Sequence, residues 1–308
     1  MKLILKQYYK PIQKRTIGID FNESCNLDCK GCPRNYRCGN WTSFDKYLEL
    51  EDAKKLVDNL VRITNTPHIQ IGVLSEFSIY KYNTEILKWI NKKYPNRDII
   101  ITTNGTGLND EFIELLPKLS DRVTLNISLW ASNQEEYIEL HGKDLFDKAY
   151  VNINKILSLY SKCKCKFMIS TVNYSTKQLN GMKNLCEALA NKYNIPYKYR
   201  TDAREGINGT FVLHCNVYNG KRENSDIIED QTEYTNTKLG YRCDLVTNEL
   251  YVTYDKAYPC NNTLNYKTIN YATLYNDIKS LIKLENNMTE CKTCKIGFAC
   301  LKKIEIRN

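Results

Sequence analysis

The sequence predicts an α/β fold assembled from repeated strand–helix units along one parallel sheet. Up to about residue 201 of the 308, short apolar runs alternate with amphipathic stretches, the pattern of consecutive βα units. Within the longer stretches the apolar residues recur at three-and-four spacing, so each helix turns one stripe towards a sheet. No nucleotide-binding glycine fingerprint follows the first strand. Right-handed crossovers are compatible with a doubly wound sheet or a barrel, and six units without that fingerprint favour a partial, TIM-like (β/α)6 barrel.

In chain order the expected strands are "TIGIDF" (16–21), "HIQIGV" (68–73), "DIIITT" (98–103), "RVTLNISL" (122–129), "KCKFMIST" (164–171) and "PYKYR" (196–200). Each is a short run rich in β-branched or aromatic residues. Among the helices, "EDAKKLVDNLVRIT" sets Ala53, Leu56, Val57, Leu60 and Val61 on one face. "LFDKAYVNINKILSLY" does so with Phe146, Ala149, Tyr150, Ile153, Leu157 and Tyr160, and "QLNGMKNLCEALANKY" with Leu179, Met182, Leu185 and Leu189. The expected core therefore spans residues 1–205. Polar text at 206–240 reads as a linker, and the cysteine-dense segment 241–308 reads as a second, smaller domain.

Hydrophobic residues make up 42% and charged residues 26% of the chain, ordinary for a globular protein, and no stretch approaches the roughly 18 apolar residues of a membrane span. The first residues, "MKLILKQYYKPIQKR", hold only the apolar run "LIL" between lysines, which predicts no secretory signal and a cytoplasmic location. In that compartment thirteen cysteines point to metal or redox chemistry rather than to a disulfide framework. The net charge of +9 comes without any Lys/Arg run of five or more, so it reads as a lysine-rich surface and not as a nucleic-acid interface.

The cysteines gather in two places. "SCNLDCKGCP" puts Cys25, Cys29 and Cys32 in the loop after the first strand, at the sheet end where α/β proteins collect their chemistry. A structural zinc needs four closed ligands, whereas an iron–sulfur cube on three thiolates keeps one iron open for an outside ligand. A zinc knuckle completed by Cys38 or a distant residue is the alternative.

This CxxxCxxC spacing resembles the motif of the radical S-adenosylmethionine superfamily, and further positions match in order over roughly residues 14–201. "ITTNGT", with Asn104, stands at the third strand end and "NISLW", with Ser128, at the fourth. The family's GGEP motif after the second strand appears here as "LSEF", where both glycines are replaced and spacing to the next helix makes Glu76 the acidic residue. The resemblance implies a 4Fe-4S cluster on Cys25, Cys29 and Cys32 whose open iron chelates S-adenosylmethionine. It also implies cofactor contacts from Glu76, Asn104 and Ser128. One electron from the reduced cluster would split the cofactor's C5′–S bond, giving methionine and a 5′-deoxyadenosyl radical that abstracts a substrate hydrogen. The electron would come from a donor such as flavodoxin or ferredoxin.

In the tail, Cys243 and Cys260 bracket the hairpin-like "DLVTNELYVTYDKAYP", and "CKTC" follows the helix-like "YATLYNDIKSLIKL". Two distant thiols plus a C-x-x-C suffice for a closed four-thiolate site, zinc or iron–sulfur. Order and local text resemble the SPASM/twitch extension of the same superfamily. That implies one auxiliary iron–sulfur cluster, of the 4Fe-4S type, on Cys243, Cys260, Cys291 and Cys294, with Cys300 left over.

Other residues have plainer readings beside functional ones. Cys163, Cys165 and Cys186 read as small buried hydrophobes. Cys215 reads as a buried cysteine or as a thiol that returns a hydrogen atom to a substrate radical. Arg200 and Arg204 close the sixth strand, either as substrate-binding cations or as surface residues. His141 stands where family members often have arginine and reads as a surface or helix-junction residue. The expected function is oxidation or epimerisation of a small molecule such as a sugar or aminocyclitol, because only about 15 residues precede the first strand. Radical modification of a ribosomal peptide is the alternative, and a zinc-dependent nucleic-acid binder the remote one.

Overall fold

The computed structural model describes residues 16–30, 32, 46–200, 211–217, 241–243, 249–253, 256–258, 267–268, 270, 273–284 and 301–303. Up to residue 200 strand and helix alternate as expected: β1 (Thr16–Ile19), α1 (Leu50–Thr64), β2 (His68–Ile71), α2 (Asn83–Lys93), β3 (Asp98–Thr103), α3 (Asp110–Leu115), β4 (Val123–Ser128), α4 (Gln134–His141), α5 (Phe146–Ser158), β5 (Lys166–Asn173), α6 (Thr176–Tyr193) and β6 (Tyr197–Arg200). All six predicted strands are present, with ends displaced by a residue or two.

Later residues add β7 (Phe211–Val217), β8 (Tyr241–Cys243), β9 (Glu249–Val252), β10 (Lys256–Tyr258), β11 (Lys267–Thr268), α7 (Leu274–Leu284) and β12 (Leu301–Lys303). One ten-stranded sheet runs β11-β10-β9-β1-β2-β3-β4-β5-β7-β6, and β8 pairs with β12 in a separate ladder. From β9 to β6 every pairing is parallel. The sheet is not closed among the described residues: it is a partial, TIM-like barrel with an antiparallel edge at β9-β10-β11.

Two segments carry more of this sheet than the sequence suggests. The stretch expected as a linker, 206–240, supplies β7, which pairs with β5 and with β6 and so separates them. The expected hairpin before Cys260 is present as β9 and β10. Its first strand, however, lies parallel to β1 and extends the core sheet.

The helices cover the sheet with the stripes read from the sequence. Ala53, Leu56, Val57, Leu60 and Val61 of α1 are buried, as are Ala149, Ile153 and Leu157 of α5 and Met182 and Leu189 of α6. Each of the Val, Leu, Ile and Met side chains among them contributes about 1.5–3 kcal/mol. Asn133 and Ser175 cap α4 and α6 by accepting the N–H groups of Glu136 and Gln178. Cys165 and Cys186 lie in the core and Cys163 is half-buried beside it. No helix among the described residues is long and apolar enough to cross a membrane.

Candidate functional site at the strand ends

Parallel strands aim their C-terminal ends at one rim, and here the loops of that rim are tied to one another by buried polar groups. Asp20, directly after β1, is wholly buried. Its carboxylate accepts the N–H groups of Val73 (2.8 Å), Leu74 (2.9 Å) and Ser75 (3.1 Å) and the hydroxyl of Tyr251 on β9. Burial pushes its pKa above the ordinary value, against the pull of these donors. The loop after β2 is therefore folded around a side chain of β1. Gly72 begins that loop at φ +73, and a Cβ there would stand 2.3 Å from the Thr102 carbonyl.

Glu76 closes the same loop and faces β3. Its Oε1 accepts from Ser78 N (2.9 Å), Ser78 Oγ (2.5 Å) and Thr103 Oγ1, and its Oε2 from Asn104 N (2.7 Å). Its own N–H donates to the Ser24 carbonyl at 2.8 Å. Burial raises this carboxyl too, again opposed by the hydrogen bonds.

Asn104 extends the network to the cysteine loop. Its Nδ2 donates to Asn26 Oδ1 (2.8 Å) and lies 3.9 Å from Cys25 Sγ, while its Oδ1 accepts from Thr106 N (2.9 Å) and Thr106 Oγ1 (2.7 Å). Asn26 in turn donates to Thr106 Oγ1 at 2.7 Å. Cys25, Glu76 and Asn104 thus belong to one partly buried polar cluster built from three strand ends. Ser128 ends β4 in register with Ser170 of β5.

The far side of the cysteine loop rests on the C-terminus of α4. The N–H groups of Asp28 and Lys30 donate to the carbonyls of His141 (3.1 Å) and Leu140 (2.9 Å), and Cys32 N donates to Cys29 O (3.0 Å). These bonds satisfy helix-end carbonyls that would otherwise lack partners. Gly142 makes the approach feasible: it caps α4 at φ +73, and a Cβ would fall 2.6 Å from the Asp28 carbonyl. Gly142→Ala is expected to destabilise the chain by more than about 1 kcal/mol and to quicken alkylation of Cys29. Thermal unfolding and timed thiol labelling measure both effects.

His141, expected at a surface or a helix junction, is a buried junction residue. Its Nδ1 is 3.1 Å from Cys29 Sγ, and its Nε2 accepts the Trp130 N–H at 3.2 Å. Burial lowers its pKa to about 3. Beside it the Tyr137 hydroxyl is buried without a hydrogen-bond partner. Burial raises its pKa, and its electrostatic neighbours Cys29, Glu76 and Cys25 add to the effect.

Cys25, Cys29 and Cys32 are half-buried on a loop held from both sides, but no three His, Cys, Asp or Glu side chains among the described residues already converge as a metal cage. Cys215 stands on β7 in register with Thr171. Arg200 lies on β6, an edge strand of the sheet. Cys243 ends β8 opposite Leu301. Arg204, Cys260, Cys291, Cys294 and the leftover Cys300 lie outside the described residues.

A partial parallel barrel with three thiols after its first strand, and with polar loops gathered round them, defines a cofactor-dependent α/β class whose chemistry sits at the strand ends. The family model for the Radical SAM superfamily matches residues 19–180, and the chain belongs to that superfamily. Membership implies a 4Fe-4S cluster and S-adenosylmethionine.

GTP 3′,8-cyclase of Clostridium perfringens (strain 13 / Type A) is 27% identical over 161 residues, which are 50% of this chain and 46% of that protein. The matched stretch is thus about half the length of the curated relative. Among solved structures, Streptococcus suis SuiB bound to precursor peptide SuiA has a TM-score of 0.60 at 15% identity, covering 95% of this chain and 72% of that one. Native anSMEcpe with bound AdoMet has a TM-score of 0.53 at 15% identity, covering 92% of this chain and 87% of that one. At these identities the likeness is one of fold.

Proposed function

We propose that this chain is a radical enzyme whose cluster is held by Cys25, Cys29 and Cys32. The observation that carries the reading is the loop itself: three thiols on a segment anchored by the Asn26 side chain and the Asp28 backbone, next to the buried Glu76 and Asn104. The donor set suits the group, since thiolates are the ligands of iron–sulfur cubes. The orphaned Tyr137 hydroxyl supports it further, because a buried donor without a partner calls for an acceptor beside it. When bound, the cluster and S-adenosylmethionine supply a 5′-deoxyadenosyl radical for hydrogen abstraction.

The protein's own contribution is to bind, orient and exclude water. Oε2 of Glu76 accepts one protein hydrogen bond and retains an acceptor direction for the cofactor's amino group. Asn104 and Ser128, at the next two strand ends, face the rest of the cofactor in this reading. Cys243, Cys260, Cys291 and Cys294 are proposed to hold an auxiliary iron–sulfur cluster in a twitch-like unit that follows β7 of the core sheet. Arg200 and Arg204 are proposed substrate contacts and Cys215 a hydrogen-atom donor.

For the substrate, oxidation or epimerisation of a sugar or aminocyclitol is the first reading. A peptide is the second, favoured by the peptide bound in the SuiB neighbour. In the oxidative case the auxiliary cluster on Cys243, Cys260, Cys291 and Cys294 would supply an acceptor for the substrate radical's second electron, with a proton released. In the epimerising case a thiol returns a hydrogen atom instead. The family's one-electron donor, a flavodoxin or ferredoxin, would reduce the first cluster.

Anaerobic purification with iron and sulfide analysis tests the whole scheme. About eight irons per chain are expected of two cubes, together with 5′-deoxyadenosine on adding dithionite and S-adenosylmethionine. One or two equivalents of zinc without colour would refute it. Stimulation of that cleavage by cyclitols or by peptides then separates the two substrate readings.

A further inference from the structure

We infer that His141 is a positioning residue for the cluster, donating a hydrogen bond from Nδ1 to the Cys29 sulfur and raising the cluster's reduction potential. The inference rests on the cluster assignment proposed above. Its geometric basis is the way the two ring nitrogens are committed. The backbone N–H of Trp130 has only a proton to give, and it points at Nε2 from 3.2 Å. Nε2 must therefore present its lone pair, which leaves the ring neutral with its single proton on Nδ1. That proton faces Cys29 Sγ, 3.1 Å from Nδ1.

The ring has little freedom to do anything else. His141 is 1% exposed, and its imidazole lies between the rings of Tyr137, 4.2 Å away, and Trp130, 5.0 Å away. Its carbonyl meanwhile accepts the Asp28 N–H. One residue thus holds the loop by its backbone next to Cys29 and holds Cys29 itself by its side chain. A donor aimed at a ligand sulfur favours the more negative, reduced state of a cluster, and hydrogen bonds to the sulfurs are among the levers that set such potentials. Burial of the imidazole strengthens the effect, because water cannot compete for its Nδ1 proton.

Two substitutions separate this role from packing. In His141→Asn the amide nitrogen reaches the place of Nδ1, keeping the donor to sulfur and losing the acceptor for Trp130. In His141→Gln the carbonyl reaches the place of Nε2, keeping the acceptor and losing the donor. Full-length wild type and both variants are reconstituted anaerobically. Each is then titrated against potential, following the paramagnetic signal that changes on adding S-adenosylmethionine. His141→Asn is expected to match wild type. His141→Gln is expected to be about tenfold less reduced at a given potential, equivalent to 59 mV for one electron. Equal potentials of the two cluster-loaded variants overturn the role of His141. Absence of iron from the wild-type chain overturns instead the cluster reading on which it rests.

Discussion

Alanine at Cys25, Cys29 or Cys32 is expected to remove about four irons per chain after anaerobic reconstitution and to bring 5′-deoxyadenosine formation down to background. A cube on three thiolates has no reserve: with two it is no longer held, and the iron that would meet the cofactor is lost with it. The expectation is specific to this loop. Cys294→Ala is expected to leave uncoupled cofactor cleavage intact and to stop turnover, because its proposed cluster handles the substrate's electron. Cys186→Ala serves as an internal control. That thiol is fully buried on α6 among core residues, and burial pushes its pKa up, so it is inert packing. Its loss should cost about 1 kcal/mol of stability and no iron. Iron counts unchanged by Cys29→Ala would remove the basis for the radical reading.

How far the sequence discloses this molecule depends on whether a feature is local. The six core strands and the stripes of α1, α5 and α6 are legible because burial imposes a period on neighbouring residues. Strand β7 is not, since "FVLHCNV" sits between polar stretches and nothing in seven residues says that it will part β5 from β6. The pairing of β9 with β1 spans more than two hundred residues and leaves no local trace. The site divides in the same way. Cys25, Cys29 and Cys32 are legible because three thiols within eight residues of one loop form a local pattern. Asp20 and His141 take their roles from partners at Val73, Leu74, Tyr251, Trp130 and Cys29, and single residues of common type carry no such information. An acid directly after a strand and a histidine before a capping glycine are the only signals either leaves.

Glu76→Gln is expected to weaken both the fold and cofactor binding, by separable amounts. The substitution keeps the side chain's shape and exchanges one acceptor oxygen for an NH2 donor. The hydroxyls of Ser78 and Thr103 can rotate to suit it, but the backbone N–H groups of Ser78 and Asn104 cannot. Whichever way the amide turns, one buried donor meets another, a loss of about 1–3 kcal/mol. Thermal unfolding should fall by roughly 2–4 °C for each kcal/mol in a chain of this size. Binding suffers for a different reason. In this reading the free direction on Oε2 belongs to an ionised carboxylate, and hydrogen bonds to charged groups contribute about 1.5–3 kcal/mol, so affinity for S-adenosylmethionine should drop tenfold or more. Iron content should not change, as the thiols are untouched. Thr103→Val supplies the contrast, because it removes one donor to the carboxylate and leaves its charge in place. It should lower the unfolding temperature with little effect on affinity. If Glu76→Gln and Thr103→Val both lower stability and both leave affinity intact, Glu76 is a strut between β2 and β3 and the cofactor's amino group is met elsewhere.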